Sequence, residues 1–83
     1  MLTDMTASLT QTVASGVRAE MARQGKTQQQ VSVLAGMAQQ TLSRRLRVDD
    51  PTPFDTEELE RIARALNVPV DRFLISPVAV SAA

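Results

Sequence analysis

Eighty-three residues suffice for one small domain and leave no room for a second core. Composition, at 43% hydrophobic and 22% charged, is that of a folded chain, and the absence of cysteine and histidine excludes disulfide frameworks, thiol chemistry and the usual zinc sites. Nine basic residues balance nine acidic ones, yet the balance is uneven along the chain. From Arg18 to Arg47 six cations (Arg18, Arg23, Lys26, Arg44, Arg45, Arg47) face one acid, Glu20, whereas from Val48 onward three cations face seven acids. This division points to an electropositive face for an anionic partner, set against the plainer view that both halves are solvated surface. The first sixteen residues, MLTDMTASLTQTVASG, lack the basic start and apolar core of a secretory signal. No apolar run approaches the roughly 18 residues of a membrane span. A reducing cytoplasm, with no membrane contact, is the expected setting.

In chain order, residues 1–7 read as an N-terminal extension. Leu9, Val13, Val17 and Met21 recur at i, i+4 and predict a first amphipathic helix from about Ser8 to Gln24, stopped by Gly25. Gly16 weakens that helix in its middle. Thr27 followed by Gln30 has the spacing of a capping box and opens a short second helix, with Val31 and Leu34 inward and Gly36 ending it in the left-handed conformation. A third helix from about Ala38 to Arg47 turns Leu42 and Leu46 inward and leaves Gln39, Gln40, Ser43, Arg44 and Arg47 mostly outward. With two prolines and three aspartates, VDDPTPFD is a loop, and Phe54 in it is expected to cap the core. Asp55 or Thr56 caps a fourth helix through EELERIARALN, whose early acids Glu57, Glu58 and Glu60 complement its dipole. Its apolar side is Leu59, Ile62, Ala63 and Leu66. VDRFLI predicts a fifth short helix anchored by Val70, Phe73 and Leu74, and residues 76–83 read as a tail or the stub of a linker. Met21 and Met37 are expected as core filler. The fold class is therefore all-α, with one domain over residues 8–75.

A helix-turn-helix requires a small residue where the helices cross, a glycine at the turn and apolar residues inside the second helix. Ser32, Gly36, and Leu42 with Leu46 meet those offsets. With TQQQVSVLAGMAQQTLSRRL followed by FDTEELERIARALNVPVDRFL, the stretch from Val17 to Leu74 resembles the DNA-binding domain of the Cro and phage-repressor transcriptional regulators, a compact five-helix fold. The resemblance implies that the third helix enters the major groove. It places Gln39, Gln40, Ser43 and Arg44 at base edges, where glutamine pairs bidentately with adenine and arginine with guanine. It also implies that the Gln28 amide contacts phosphate and braces the first recognition glutamine. Thr27, Thr41, Arg47, Arg45, Lys26, Arg23 and Arg18 are the remaining candidates for phosphate contact, which fixes register without reading sequence. Glu20 and the neighbouring helix compete for Arg18 and Arg23. About 100° of helix separates Arg45 from Arg44, so the cations cannot all share one face. Asp49 and Asp50 depart from the family pattern, because they would repel phosphate. Either their loop turns away from DNA, or they contact a partner subunit or an arginine of the recognition helix.

The expected function is a sequence-specific transcriptional regulator in a bacterial or phage-infected cell, probing double-stranded operator DNA as a homodimer in the manner of a phage or prophage repressor. An antitoxin of a toxin–antitoxin pair and a helical protein–protein interaction module are the alternatives. No cofactor, metal or small-molecule ligand is expected. An enzyme is not expected either, since no His, Cys, Tyr or Trp, no phosphate loop and no converging carboxylates supply a catalytic constellation.

Overall fold

A computed structural model of the protein describes residues 2–74, with side chains described from residue 9 onward. Four α-helices and one 3-10 helix make up the described fold: α1 (Leu2–Gln24), α2 (Gln28–Ala35), α3 (Gln39–Arg45), α4 (Thr56–Leu66) and the 3-10 helix Val70–Leu74. No strand occurs among these residues. The tail expected at 76–83 lies outside them.

Helix α1 buries Val13, Val17 and Met21 along one stripe, together with Ala14. It starts at Leu2, before the expected Ser8. Leu9, expected on the inner stripe, is 54% exposed. It lies one turn before the first buried residue, so the periodicity runs on past the packed stretch. Gly16 permits contact: a Cβ built on it would lie 3.1 Å from both the Cα and the carbonyl oxygen of Phe73. The missing side chain lets the 3-10 helix lie directly on α1, and Phe73 is fully buried as a result.

The predicted capping box at α2 is formed. The Gln30 N–H donates to Thr27 Oγ1 at 3.1 Å, and the Thr27 N–H donates to Gln30 Oε1 at 2.8 Å. Val31, Ser32 and Ala35 face inward. Leu34 does not: it is 58% exposed, and Ala35 takes its expected place. From Val31 both i+3 and i+4 are compatible with a helical stripe, and the close packing of α4 on α2 selects the small residue. Ser32, the small residue expected where α2 and α3 cross, is buried, and its hydroxyl donates to the Gln29 carbonyl at 2.8 Å, so no polar group is stranded. Gly36 ends the helix at φ 67°, a conformation that disfavours any L side chain.

Helix α3 is only seven residues long and has Ala38 at its N-cap, with no side-chain cap. Leu42 is fully buried and Leu46 nearly so, as expected. The following loop folds back instead of projecting: Pro51 is buried, Asp50 adopts φ 56°, and the Thr52 N–H donates to the Arg44 carbonyl at 3.2 Å. Phe54, half-buried, packs against the core.

Asp55, not Thr56, caps α4 and forms a second capping box with Glu58. Ile62, Ala63 and Leu66 are buried and Leu59 is partly so. Asn67 closes the helix at φ 57°. Beyond Pro69, the expected fifth α-helix is a five-residue 3-10 turn whose Arg72 N–H donates to the Pro69 carbonyl at 3.1 Å. Only Phe73 anchors it fully; Val70 is half-buried and Leu74 is 47% exposed. Five residues give too few i→i+4 bonds to hold an α-helix, and the tighter turn suits so short a segment.

Leu42→Ala removes a side chain with no solvent exposure and is expected to destabilise the fold by about 2–5 kcal/mol. Urea denaturation measures the loss. An unchanged midpoint would show that Leu42 is not part of the core.

Candidate nucleic-acid interface

Burial of Leu42 and Leu46 fixes the rotation of α3 about its axis, and the rotation decides what it presents. At about 100° per residue, Gln39, Gln40, Ser43 and Arg44 fall within one outward arc, and Arg47 follows just past the helix end. All five are exposed. Gln40, Ser43, Arg44 and Arg47 line one shallow concavity of about 350 Å³. Two amides or hydroxyls thus stand beside two guanidinium groups, a donor- and acceptor-rich surface suited to base edges and phosphates. Thr41 lies on the flank of the arc and is half-buried.

The base of α3 is held by two clamps. From α1, Arg18 Nη1 donates to the carbonyls of Leu46 at 2.8 Å and Arg47 at 3.2 Å. These carbonyls follow the helix end, where no intrahelical donor reaches them. From α4, Glu58 receives Arg45 in a bidentate pair, with Nε to Oε1 at 2.8 Å and Nη2 to Oε2 at 3.0 Å. Both side chains are largely buried, at 19% and 15% exposure. Glu58 Oε1 also accepts the Asp55 N–H, so one carboxylate starts α4 and tethers α3. Arg45 therefore turns inward from the arc that carries Arg44, and Arg18 lies beneath the helix end.

The other cations expected at phosphate divide further. Arg23 pairs with Glu20 on its own helix. Lys26 sits beside Gln29, Gln30, Val33 and Leu34 on the outer side of α2 and does not line the α3 concavity. Thr27 Oγ1 is engaged as the α2 cap, and the Gln28 side chain, half-buried at the start of α2, makes no hydrogen bond to Gln39. Asp49 and Asp50 are exposed and form no ion pair among the described residues, so the contact to a recognition-helix arginine is not made here.

Two positioning groups escaped sequence reasoning. Gln24 Nε2 donates to the Leu66 carbonyl at 2.7 Å and to Glu20 Oε2 at 2.8 Å, tying the end of α1 to the end of α4. Glu58 looked like a dipole complement and is also the anchor of α3. The only signal for either is a polar side chain near a helix terminus.

Arg45 holds the Glu58 carboxyl below the ordinary glutamate range, with the Asp55 N–H assisting and burial opposing. Arg23 does the same for Glu20, again against the desolvation of a nearly buried group and with help from Gln24. A carboxylate whose folded pKa is depressed contributes stability above its unfolded pKa, and that contribution is lost as pH falls through the folded value. Stability is therefore expected to fall as pH drops below about 4.3. Glu58→Gln should lower stability near pH 7 by roughly 1–3 kcal/mol and flatten the acid limb. Thermal melts across pH 3–7 test this, and superimposable pH profiles of the two proteins would contradict it.

A profile of the helix-turn-helix family matches residues 17–73, a span that contains α2, the Gly36 turn, α3, both clamps and the buried Phe73. Neither a curated protein nor a solved structure matches the chain. No helix of the described residues is long and apolar enough to cross a membrane. Because the family match covers well over half of the 83 residues and encloses the whole two-helix unit with its supporting elements, the chain belongs to the helix-turn-helix family of Cro and repressor type, whose domain binds DNA in gene regulation.

Proposed function

We propose that this protein is a sequence-specific regulator of transcription, of the phage or prophage repressor kind, that reads double-stranded operator DNA through the major groove with α3. One observation carries the proposal: Gln39, Gln40, Ser43 and Arg44 are exposed on one arc of a helix whose opposite side is locked into the core by Leu42 and Leu46. Gln39 and Gln40 offer bidentate pairing to adenine, Arg44 to guanine, and Ser43 a short donor or acceptor to either. Arg47, Thr41, Thr27 and Gln28 serve the phosphate backbone from both ends of the unit. Arg18 and Arg45 act on DNA only by placing α3. A homodimer on an inverted repeat, with half-sites about 34 Å apart, matches the docking habit of such domains. The site of action is the cytoplasm, where the DNA is.

Selection of preferred sites from a random duplex pool, followed by titration at two salt concentrations, tests the proposal. A recovered motif with a steep salt slope supports it, and the absence of any preferred site refutes it. On the recovered site, Gln39→Ala should cost about 1–3 kcal/mol and relax the preference at one base pair, whereas loss that is equal on all sequences would contradict base reading. Arg47→Ala should weaken all sequences alike and make the salt slope shallower by about 0.9.

Arg45→Ala separates a clamp from a phosphate contact. It should lower the urea midpoint and leave the salt slope of DNA binding at the wild-type value. A shallower slope with unchanged stability would assign Arg45 to phosphate.

A further inference from the structure

The outward face of α2 begins with the exposed Gln29 and Gln30 and turns apolar in its second half, where an ordinary solvated helix carries polar residues. Val33 and Leu34, consecutive in sequence, are 74% and 58% exposed. Two shallow grooves share them. One, of about 470 Å³, runs toward α4 and is lined by Arg61 and Arg64; the other, of about 420 Å³, runs toward the start of α2 and is lined by Lys26. No acid lines either groove.

Charge decides the kind of partner. Among the described residues Arg18, Arg23 and Arg45 all have internal partners, whereas the side chains of Lys26, Arg61 and Arg64 form no hydrogen bond or ion pair. Three cations, of which Arg61 also acts at longer range on Glu58, thus surround two exposed aliphatic side chains. DNA supplies anions but nothing apolar of comparable extent to cover Val33 and Leu34, and the grooves share no residue with the concavity on α3. An amphipathic helix with an apolar stripe and flanking carboxylates satisfies both requirements together.

We propose that the outward face of α2, Val33 and Leu34 rimmed by Lys26, Arg61 and Arg64, is a docking surface for an acidic amphipathic helix of another protein. Docking there leaves α3 free for DNA.

The test pans a displayed library of peptides of about 15 residues, long enough for a helix, on the full chain without DNA, with counter-selection on the double variant Val33→Ser, Leu34→Ser. Both substitutions are at exposed positions, and circular dichroism checks that the fold persists. The expected winners carry acids beside apolar residues at i, i+3 or i+4 spacing. In fluorescence anisotropy they should bind the double variant at least about tenfold more weakly, a difference of roughly 1.4 kcal/mol. Arg61→Gln with Arg64→Gln should weaken them too and reduce their salt sensitivity, while duplex DNA leaves them bound. Winners without acids, undiminished affinity for the double variant, or displacement by duplex DNA would overturn the proposal. A wild-type dimer in sedimentation that Val33→Ser, Leu34→Ser converts to monomer would assign the face to a second copy and overturn it equally. Panning and the peptide titrations are done without DNA and the competition uses any duplex, so the outcome is independent of whether an operator is found.

Discussion

The rest of the structure depends on how α3 is held. Seven residues without a side-chain N-cap are far below the length at which a helix persists alone. Tertiary contacts therefore supply what local propensity lacks. Leu42 and Leu46 fasten the helix to the core, Arg18 caps its last carbonyls from α1, and Arg45 ties it to Glu58 at the start of α4. The Thr52 N–H takes a further carbonyl, that of Arg44. Hydrophobic burial fixes the rotation of the helix and the polar clamps fix its end. Together they aim the arc from Gln39 to Arg47.

This arrangement also explains how a chain with no net charge presents a cationic surface. Two acids are drawn onto cations, Glu58 onto Arg45 and Glu20 onto Arg23, while the remaining acids of the second half stay exposed away from the α3 concavity. Arg44 and Arg47 remain outward beside the glutamines. Arg61, Arg64 and Lys26 collect instead on the α2 side. Neutrality is thus an average over segregated faces, and local potential, not net charge, governs which partner each face meets.

Legibility in the sequence followed the range of the interaction. Thr27 with Gln30, Gly36, the cap at Asp55, and the Leu42–Leu46 pair are set by rules spanning three or four residues, and the structure forms each of them. Leu9 and Leu34 were misplaced because periodicity says which residues share a stripe, not where the stripe meets another helix. Ala35 and Gly16 were undervalued for a related reason. Small residues mark close approach, and close approach depends on α4 and Phe73, elements distant in sequence. The roles of Arg18 and Arg45 were least legible of all, since their partners lie 28 and 13 residues away and an arginine looks the same whether it faces phosphate or a carboxylate. The outward placement of Gln39, Gln40, Ser43 and Arg44 is legible, because it is the complement of the two buried leucines.

The clamps carry a consequence for how mutations on this unit are interpreted. Arg18 sits at the negative end of the α3 dipole as well as on its orphan carbonyls, so its charge and its donors stabilise the same helix end. Loss of Arg18, Arg45 or Glu58 would loosen the helix that carries Gln39, Gln40, Ser43 and Arg44, and DNA affinity would fall although none of the three needs to touch DNA. An alanine scan read by affinity alone would place them in the interface. Stability and salt slope divide the two groups, because a phosphate contact releases a counterion when DNA binds and a clamp does not. For this fold the distinction is structural before it is functional: the cations that hold α3 point into the protein, and those that remain to meet an anion are the ones the core leaves outside.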